Sequence, residues 1–119
     1  MTRSGVSTTK TFTDARAALA QGATATAPTE AALATARQHA DLNAFLELFD
    51  ESALQQANAV DARVKARNAG ALAGLVLSIK DNICYKDHKV SASSRILEGF
   101  TSLYSATVVE RLLAADAVI

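Results

Sequence analysis

Large apolar side chains are concentrated in three segments of this 119-residue chain, at residues 44–49, 72–83 and 96–119. The first 40 residues contain hardly any of them and are rich in alanine, which occupies 26 positions in the whole sequence. Alanine is the strongest helix former, but it buries little surface. The sequence therefore predicts a helical N-terminal part that needs another layer to pack against, and a core built mainly from the C-terminal half.

Charge and cysteine content exclude several functional classes. Twelve Lys and Arg residues balance twelve Asp and Glu residues, so the chain lacks the positive charge on which nucleic-acid and anionic-membrane binding depend. The single cysteine, Cys84, can form neither an internal disulfide nor a zinc site of several thiolates. No apolar run is long enough to cross a membrane, and residues 1–10 do not resemble a secretion signal. We therefore expect a cytoplasmic protein of one domain at most.

Capping residues and apolar spacing predict four helices, preceded by a flexible polar segment at residues 1–11. The helices are expected at residues 13–21, 29–40, 50–67 and 106–115, with Thr13, Thr29, Asp50 and Ser105 as their N-terminal caps. In the third helix, apolar residues recur at intervals of four, three and four, which places them on one buried stripe. They are Ala53, Ala57, Val60 and Val64.

Two apolar segments are predicted to be strands. Residues 41–49 are short and aromatic, and residues 72–79 are apolar at almost every position, as expected for a strand covered by helices on both faces. Lys80 follows directly, at the end of the strand where the ligand sites of α/β sheets collect. Desolvation there would favour the neutral amine, which can act as a general base. On these residues alone, a lysine that simply reaches water beside Asp81 is the commoner arrangement.

The other candidate groups give weaker signals. Cys84 and His88 are four residues apart, but in a segment predicted to be a loop this spacing does not bring them together. The serine-rich residues 91–94 could lie near a substrate, although turn capping explains such serines more often. Phosphate-loop, nucleophile-elbow and dinucleotide motifs are absent from the sequence. Residues 114–119 are typical of a helix that ends and a strand that begins, so we expect the first part of a longer protein.

Three segments of the C-terminal half resemble the amidase-signature family. They are residues 74–82 (Gly-Leu-Val-Leu-Ser-Ile-Lys-Asp-Asn), residues 91–100 and residues 104–112. Within the family, the last two are most similar to the A subunits of bacterial aspartyl/glutamyl-tRNA amidotransferases. The resemblance implies an α/β fold that comprises N-terminal helices and the first strands of a mixed sheet. Residues 12–70 would be mainly helical, and residues 71–119 would begin the catalytic core of the same domain.

The resemblance also implies a chemistry. Amidase-signature enzymes hydrolyse amides with a Ser–cis-Ser–Lys triad, in which one serine is acylated, the cis serine passes the proton and the lysine acts as the base. Lys80 matches that lysine, whereas both serines of the family lie downstream of Ile119. In the A subunits the amide is that of glutamine, so the 119 residues are expected to be a glutaminase fragment that is inactive alone.

Partners and cofactors follow from the same resemblance. Ammonia from the A-type chain passes to a partner protein, which uses ATP and Mg to amidate Glu-tRNA(Gln) or Asp-tRNA(Asn). The resemblance thus implies B-type and C-type partner subunits, misacylated tRNA bound through the complex, and no cofactor or metal in this chain. Three alternatives stay open: another amidase-signature amide hydrolase, a non-catalytic module whose helices at residues 13–67 dock on a partner, and a truncated reading frame.

Overall fold

The computed structural model describes residues 11–119, and these contain four α-helices. The helices are α1 (Phe12–Ala20), α2 (Thr26–Gln38), α3 (Asp50–Lys65) and α4 (Thr107–Ala114), with short 3-10 turns at Ala40–Leu42 and Arg95–Leu97. Each helix in this range is too short or too polar to cross a membrane. The predicted flexibility of residues 1–11 concerns residues that, apart from Thr11, lie outside the described part.

All four predicted helices are present, but none of them has the predicted N-terminal cap. Thr11, and not Thr13, caps α1, since its hydroxyl accepts the Asp14 N–H (3.1 Å) while the Asp14 carboxylate accepts the Thr11 N–H (3.1 Å). The extended backbone that a cap requires occurs at Thr11 (φ −139°, ψ 160°). Asp50 is the first residue of α3 and makes no capping bond; its carboxylate pairs with Arg37 instead.

The N-terminus of α2 is capped by a side chain from α3. The Asp61 carboxylate accepts hydrogen bonds from the Ala25 N–H (2.5 Å), the Thr26 N–H (3.3 Å) and the Thr26 hydroxyl (2.6 Å). Thr29, the predicted cap, lies one turn inside the helix, where its buried hydroxyl donates to the Ala25 carbonyl (2.8 Å). A carboxylate at a helix N-terminus also interacts favourably with the helix dipole. Asp61 therefore holds α2 against α3.

Asp61→Ala is expected to lower the free energy of unfolding by about 1–2 kcal/mol, because the first N–H groups of α2 lose their acceptor. Urea unfolding followed by far-UV circular dichroism measures the change. Asp61→Asn is the matched control, since it keeps the shape and one acceptor oxygen, and it should lose less than half as much. An alanine variant as stable as the parent would contradict this assignment of the cap.

Two apolar clusters form the core on either side of the extended residues 75–79. Val76 packs into the first cluster, whereas Leu77 and Ile79 pack into the second, as alternate residues of an extended segment should. The buried members of the first are Ala25, Ala53, Ala57, Val60, Ala73 and Val118, and those of the second are Tyr85, Val109 and Ile119. The predicted stripe of α3 is confirmed, because three of its members are buried and the fourth, Val64, packs against them.

The first predicted strand, at residues 41–49, is not found. This segment begins in a 3-10 turn, and Asn43 then adopts the left-handed conformation (φ 49°), which interrupts an extended run. Leu42 and Leu46 stay exposed, at 68% and 81%. Without a neighbouring segment to pair with, the apolar residues here do not form a strand.

The second predicted strand, at residues 72–79, is reduced to a single parallel bridge between Val76 and Val118. A turn comes first, since the Leu75 N–H donates to the Leu72 carbonyl (3.0 Å) and Gly74 has a φ of 88°. Two hydrogen bonds of 2.9 Å then join Leu75 and Leu77 to Val118. A strand needs a ladder of several consecutive residue pairs. Residues 11–119 supply only a single pair to this segment. The α/β class is therefore not confirmed by the described residues, which are helical and contain no strand.

Asp116 ties together the end of α3, the following loop and the end of α4. Its carboxylate accepts hydrogen bonds from Arg63 Nε (2.8 Å) and from the Gly70 N–H (2.6 Å), and it forms an ion pair with Arg63 Nη2 at 2.7 Å. Burial raises the pKa of Asp116, but the bonds from Arg63 and Gly70 outweigh burial, so the pKa lies below its ordinary value. A Cβ at Gly70 would lie 2.5 Å from the Ala115 carbonyl oxygen, so this close approach requires glycine.

Ser105 does not cap α4, contrary to the prediction. Its hydroxyl accepts the Lys86 N–H (3.0 Å), and α4 begins two residues later, after an extended Ala106. The Ala106 N–H donates to the Cys84 carbonyl (2.8 Å). Ser105 thus anchors the loop of residues 84–88, which holds the start of α4 in place.

Candidate functional site

A groove of about 520 Å³ lies beside the end of the extended segment. Its walls come from residues 44–49, from residues 79–91 and from residues 97–100. Apolar side chains line much of it, and its polar groups include the hydroxyl of Ser91. The charged residues that line it are Glu47, Lys80, Asp81, Lys89 and Glu98. An apolar cleft with a few convergent polar groups is the usual form of a small-molecule site.

Lys80 lies in the wall of this groove and is exposed. The catalytic interpretation of Lys80 requires a lysine sheltered at the end of a doubly covered strand, and within residues 11–119 that shelter is missing. The reason is that one edge of the extended segment pairs with Val118, while its other edge has no neighbour in the described residues. No carboxylate of residues 11–119 forms an ion pair with Lys80; the ion pairs there are Arg37–Asp50 and Arg63–Asp116.

Asp81 joins the lysine segment to the serine-rich loop. Its carboxylate accepts the Ser91 N–H (3.2 Å) and the Ser91 hydroxyl, and its carbonyl accepts the Ala92 N–H (3.1 Å). The Ser91 hydroxyl is the main cause that holds the pKa of Asp81 below its usual value, against a smaller opposing effect of desolvation. Ala92 and Ser93 complete the turn with positive φ angles of 49° and 59°. The serine loop therefore lies beside Lys80, which sequence spacing does not reveal.

Cys84 and His88 do not form a pair, as the sequence predicts. Both ring nitrogens of His88 are engaged elsewhere, Nε2 with the Ser52 hydroxyl (3.2 Å) and Nδ1 with the Lys86 carbonyl (2.8 Å). The ring also stacks on Tyr85, with centroids 4.0 Å apart and planes 7° apart. These contacts describe a histidine that packs the loop against α3. No cluster of His, Cys, Asp and Glu in residues 11–119 could hold a metal ion.

Residues 27–119 match the family model described as Amidase. The chain belongs to the amidase-signature family. Among its curated relatives, the A subunit of the glutamyl-tRNA(Gln) amidotransferase from Salinibacter ruber is 42% identical over 113 residues, which cover 91% of this chain and 21% of that protein. The protein of the same name in Methanothermobacter thermautotrophicus is 45% identical over 80 residues, or 66% of this chain and 18% of that protein. The chain thus spans about a fifth of the length of these relatives.

A solved structure resembles the fold at a TM-score of 0.78 and 31% identity, covering 87% of this chain and 23% of that chain. It is described as "An unexpected vestigial protein complex reveals the evolutionary origins of an s-triazine catabolic enzyme", and its inhibitor-bound form matches equally well. Residues 11–119 therefore have the fold of one part of a longer amidase-signature enzyme.

Proposed function

We propose that this chain provides the N-terminal part of the glutamine-hydrolysing A subunit of a tRNA-dependent amidotransferase, with Lys80 as its general base. The observation that carries the proposal is the 42% identity over 113 residues to the Salinibacter ruber protein. The position of Lys80 in a groove, next to a hydroxyl-rich loop, supports the role of this residue. The two serines of the triad would come from sequence that follows residue 119 in the family.

The proposed reaction has two stages, acylation of a serine by glutamine and hydrolysis of the resulting ester. The free amine of Lys80 accepts the proton that the cis serine relays from the nucleophilic serine, whose oxygen then bonds to the side-chain amide carbon of glutamine. The proton returns to the departing nitrogen, and ammonia leaves. Water hydrolyses the resulting ester to glutamate through the same relay. This chain would bind no cofactor itself.

The ammonia defines the partners of the proposed glutaminase. It would pass to a B-type subunit, which uses ATP and Mg to amidate Glu-tRNA(Gln) or Asp-tRNA(Asn), in a cytoplasmic complex that also contains a C-type subunit. Exposed apolar side chains around the groove support a covering layer from the rest of the domain. Phe45, Leu46 and Phe100 all line the groove and are exposed at 50%, 81% and 40%. Such a layer would give Lys80 the desolvation that a base requires.

The 119-residue chain alone is expected to be inactive, because it holds a base without the acylated serine and without its oxyanion donors. Ammonia release from glutamine by the purified chain should equal that of its Lys80→Ala variant. Ammonia release clearly faster than that of the Lys80→Ala variant would contradict the proposal that the two serines of the triad come from sequence after residue 119. A chimera that joins residues 1–119 to the remaining four fifths of the Salinibacter ruber protein is expected to hydrolyse glutamine.

A second candidate function is hydrolysis of a different amide, and the matched s-triazine-related structure favours it. It keeps the same role for Lys80 and changes the substrate. A panel of small amides, supplied to the full-length polypeptide, separates the two, since a tRNA-dependent glutaminase prefers glutamine. The third possibility is a docking module without catalysis. In that case the rate of hydrolysis would not depend on Lys80 with any amide.

A further inference from the structure

We propose that Ser91 is a positioning residue for Lys80 and acts through Asp81. Its hydrogen bonds hold the Asp81 carboxylate against the serine loop of residues 91–94 and keep that carboxylate away from the lysine amine. This inference rests on the proposed function, because the contact has a purpose at this site only if Lys80 acts as a base. The geometry that carries it is the set of three hydrogen bonds between Asp81 and the start of the loop.

Asp81 is the carboxylate best placed to neutralise Lys80. The two residues are adjacent in sequence, and both line the same groove. A carboxylate with free acceptor oxygens beside a lysine would pair with it and favour the charged form, which is useless as a base. Both Asp81 oxygens instead accept hydrogens from Ser91, one from the N–H and one from the hydroxyl. Ser91 thereby keeps the carboxylate occupied while Lys80 stays without a partner among residues 11–119.

The other ionisable groups around the groove do not replace Asp81 as a possible ion-pair partner of Lys80. Glu47 accepts a long hydrogen bond from the Lys89 N–H (3.4 Å), and Glu98 belongs to the wall formed by residues 97–100. The side chain of Lys89 adds a positive charge, which disfavours a second one nearby. Neither glutamate forms an ion pair with Lys80 in the described residues.

Two substitutions are therefore expected to act in opposite directions. Ser91→Ala removes the hydroxyl donor, so one Asp81 oxygen becomes free to pair with the Lys80 ammonium, and the free-amine fraction falls. Asp81→Asn removes the negative charge while keeping an acceptor for the Ser91 N–H, so the free-amine fraction rises. If the contact between Asp81 and Ser91 only stabilised the fold, the two substitutions would not change the free-amine fraction of Lys80 in opposite directions.

The experiment is competitive acylation of the 119-residue chain with limiting acetic anhydride at fixed pH, read by peptide mass spectrometry. The rate at Lys80 is divided by the rate at Lys65, an exposed lysine at the end of α3 outside the groove. Ser91→Ala should lower this ratio roughly two- to fivefold, the range of a surface ion pair. Ser91→Thr restores the hydroxyl and should return the parent ratio, and Asp81→Asn should raise it about twofold.

Ser94→Ala is the matched control, because this serine belongs to the same loop and its hydroxyl makes no hydrogen bond within residues 11–119. An unchanged ratio in Ser91→Ala, or an equal fall in Ser94→Ala, overturns the proposal. The dispersion of the amide NMR signals shows whether Ser91→Ala is folded. If it is unfolded, Asp81→Asn alone tests the proposal, and a Lys80/Lys65 ratio at or below the parent value overturns the proposal. The labelling measures no catalysis, so its failure leaves the proposed function standing, whereas loss of the glutaminase role is detected by ammonia release.

Discussion

Lys80→Ala in the full-length chimera is expected to lower kcat for glutamine hydrolysis roughly 10²–10⁴-fold, the usual contribution of a general base. The chimera joins residues 1–119 to the remainder of the Salinibacter ruber protein, so that base, serines and oxyanion donors are all supplied. Alanine removes the proton acceptor and leaves the groove otherwise intact. Ammonia release at saturating glutamine measures the loss, and an unchanged KM would show that substrate binding is preserved.

Lys89→Ala provides the matched control for this experiment. Lys89 is an exposed lysine that lines the same groove, so its removal changes the local charge equally. We expect its kcat to stay within about threefold of the parent, which is the effect of losing a surface charge. Equal losses in the two variants would show that the groove needs positive charge in general. A Lys80→Ala chimera that retains more than about a tenth of the parent rate would contradict the role of the base.

Asp116→Ala is expected to lower the free energy of unfolding of the 119-residue chain by about 2–4 kcal/mol. Asp116 is only 5% exposed, and alanine would leave the Gly70 N–H and the Arg63 guanidinium without their acceptor. Charge-assisted hydrogen bonds contribute about 1.5–3 kcal/mol each, and unpaired buried donors add a penalty. Alanine also tolerates the left-handed backbone of this position (φ 70°) less well than aspartate. Urea unfolding by circular dichroism gives the value.

Asp116→Asn separates charge from shape at the same position. Asparagine adopts the left-handed conformation readily and still accepts the Gly70 N–H, so about half of the loss should return. The folded-state pKa of Asp116 is lower than the unfolded one. Its contribution is therefore complete above the unfolded pKa of about 3.9 and is lost as the pH falls through the folded value. The difference in stability between parent and Asn variant should therefore shrink as the pH falls from the unfolded pKa through the folded one, and a difference that stays constant over that fall would argue against this linkage.

Helix positions could be predicted from the sequence because they depend on local spacing, whereas the caps could not. The buried stripe of α3 follows from intervals of three and four residues and is confirmed. The cap of α2 is Asp61, 35 residues from Thr26, and only the packing of α2 on α3 brings the two together. Thr29 satisfies the local rule for a cap, but a distant side chain supplies a better acceptor.

Strand prediction at residues 72–79 fails for a related reason. Apolar alternation is present, since Val76 and Leu77 enter different clusters. A strand also needs neighbouring segments to pair with, which the local pattern of residues 72–79 does not encode. Within residues 11–119, the bridge between Val76 and Val118 is the only β-bridge of this segment. The same shortage of neighbours explains why Lys80 is exposed and not sheltered. The local pattern predicts an extended backbone, whereas burial depends on the segments that pack against it.

Only part of the candidate site could be predicted from the sequence. Lys80 could be singled out from its place after an apolar run, but the contact between Asp81 and Ser91 spans ten residues and depends on a turn. That turn places Ala92 and Ser93 at positive φ, which neither residue type indicates in advance. An acidic residue next to the lysine was the available signal, and by itself it points to a surface pair.

The environment of one nitrogen atom in a crystal structure of the full-length chimera tests the central claim most directly. We expect the Lys80 Nζ to be screened from bulk solvent and to lie about 2.6–3.2 Å from a serine hydroxyl contributed by the downstream sequence. An Nζ that remains in open solvent, with no serine within reach, would contradict the proposed base and leave this chain as a scaffold of the amidase-signature fold.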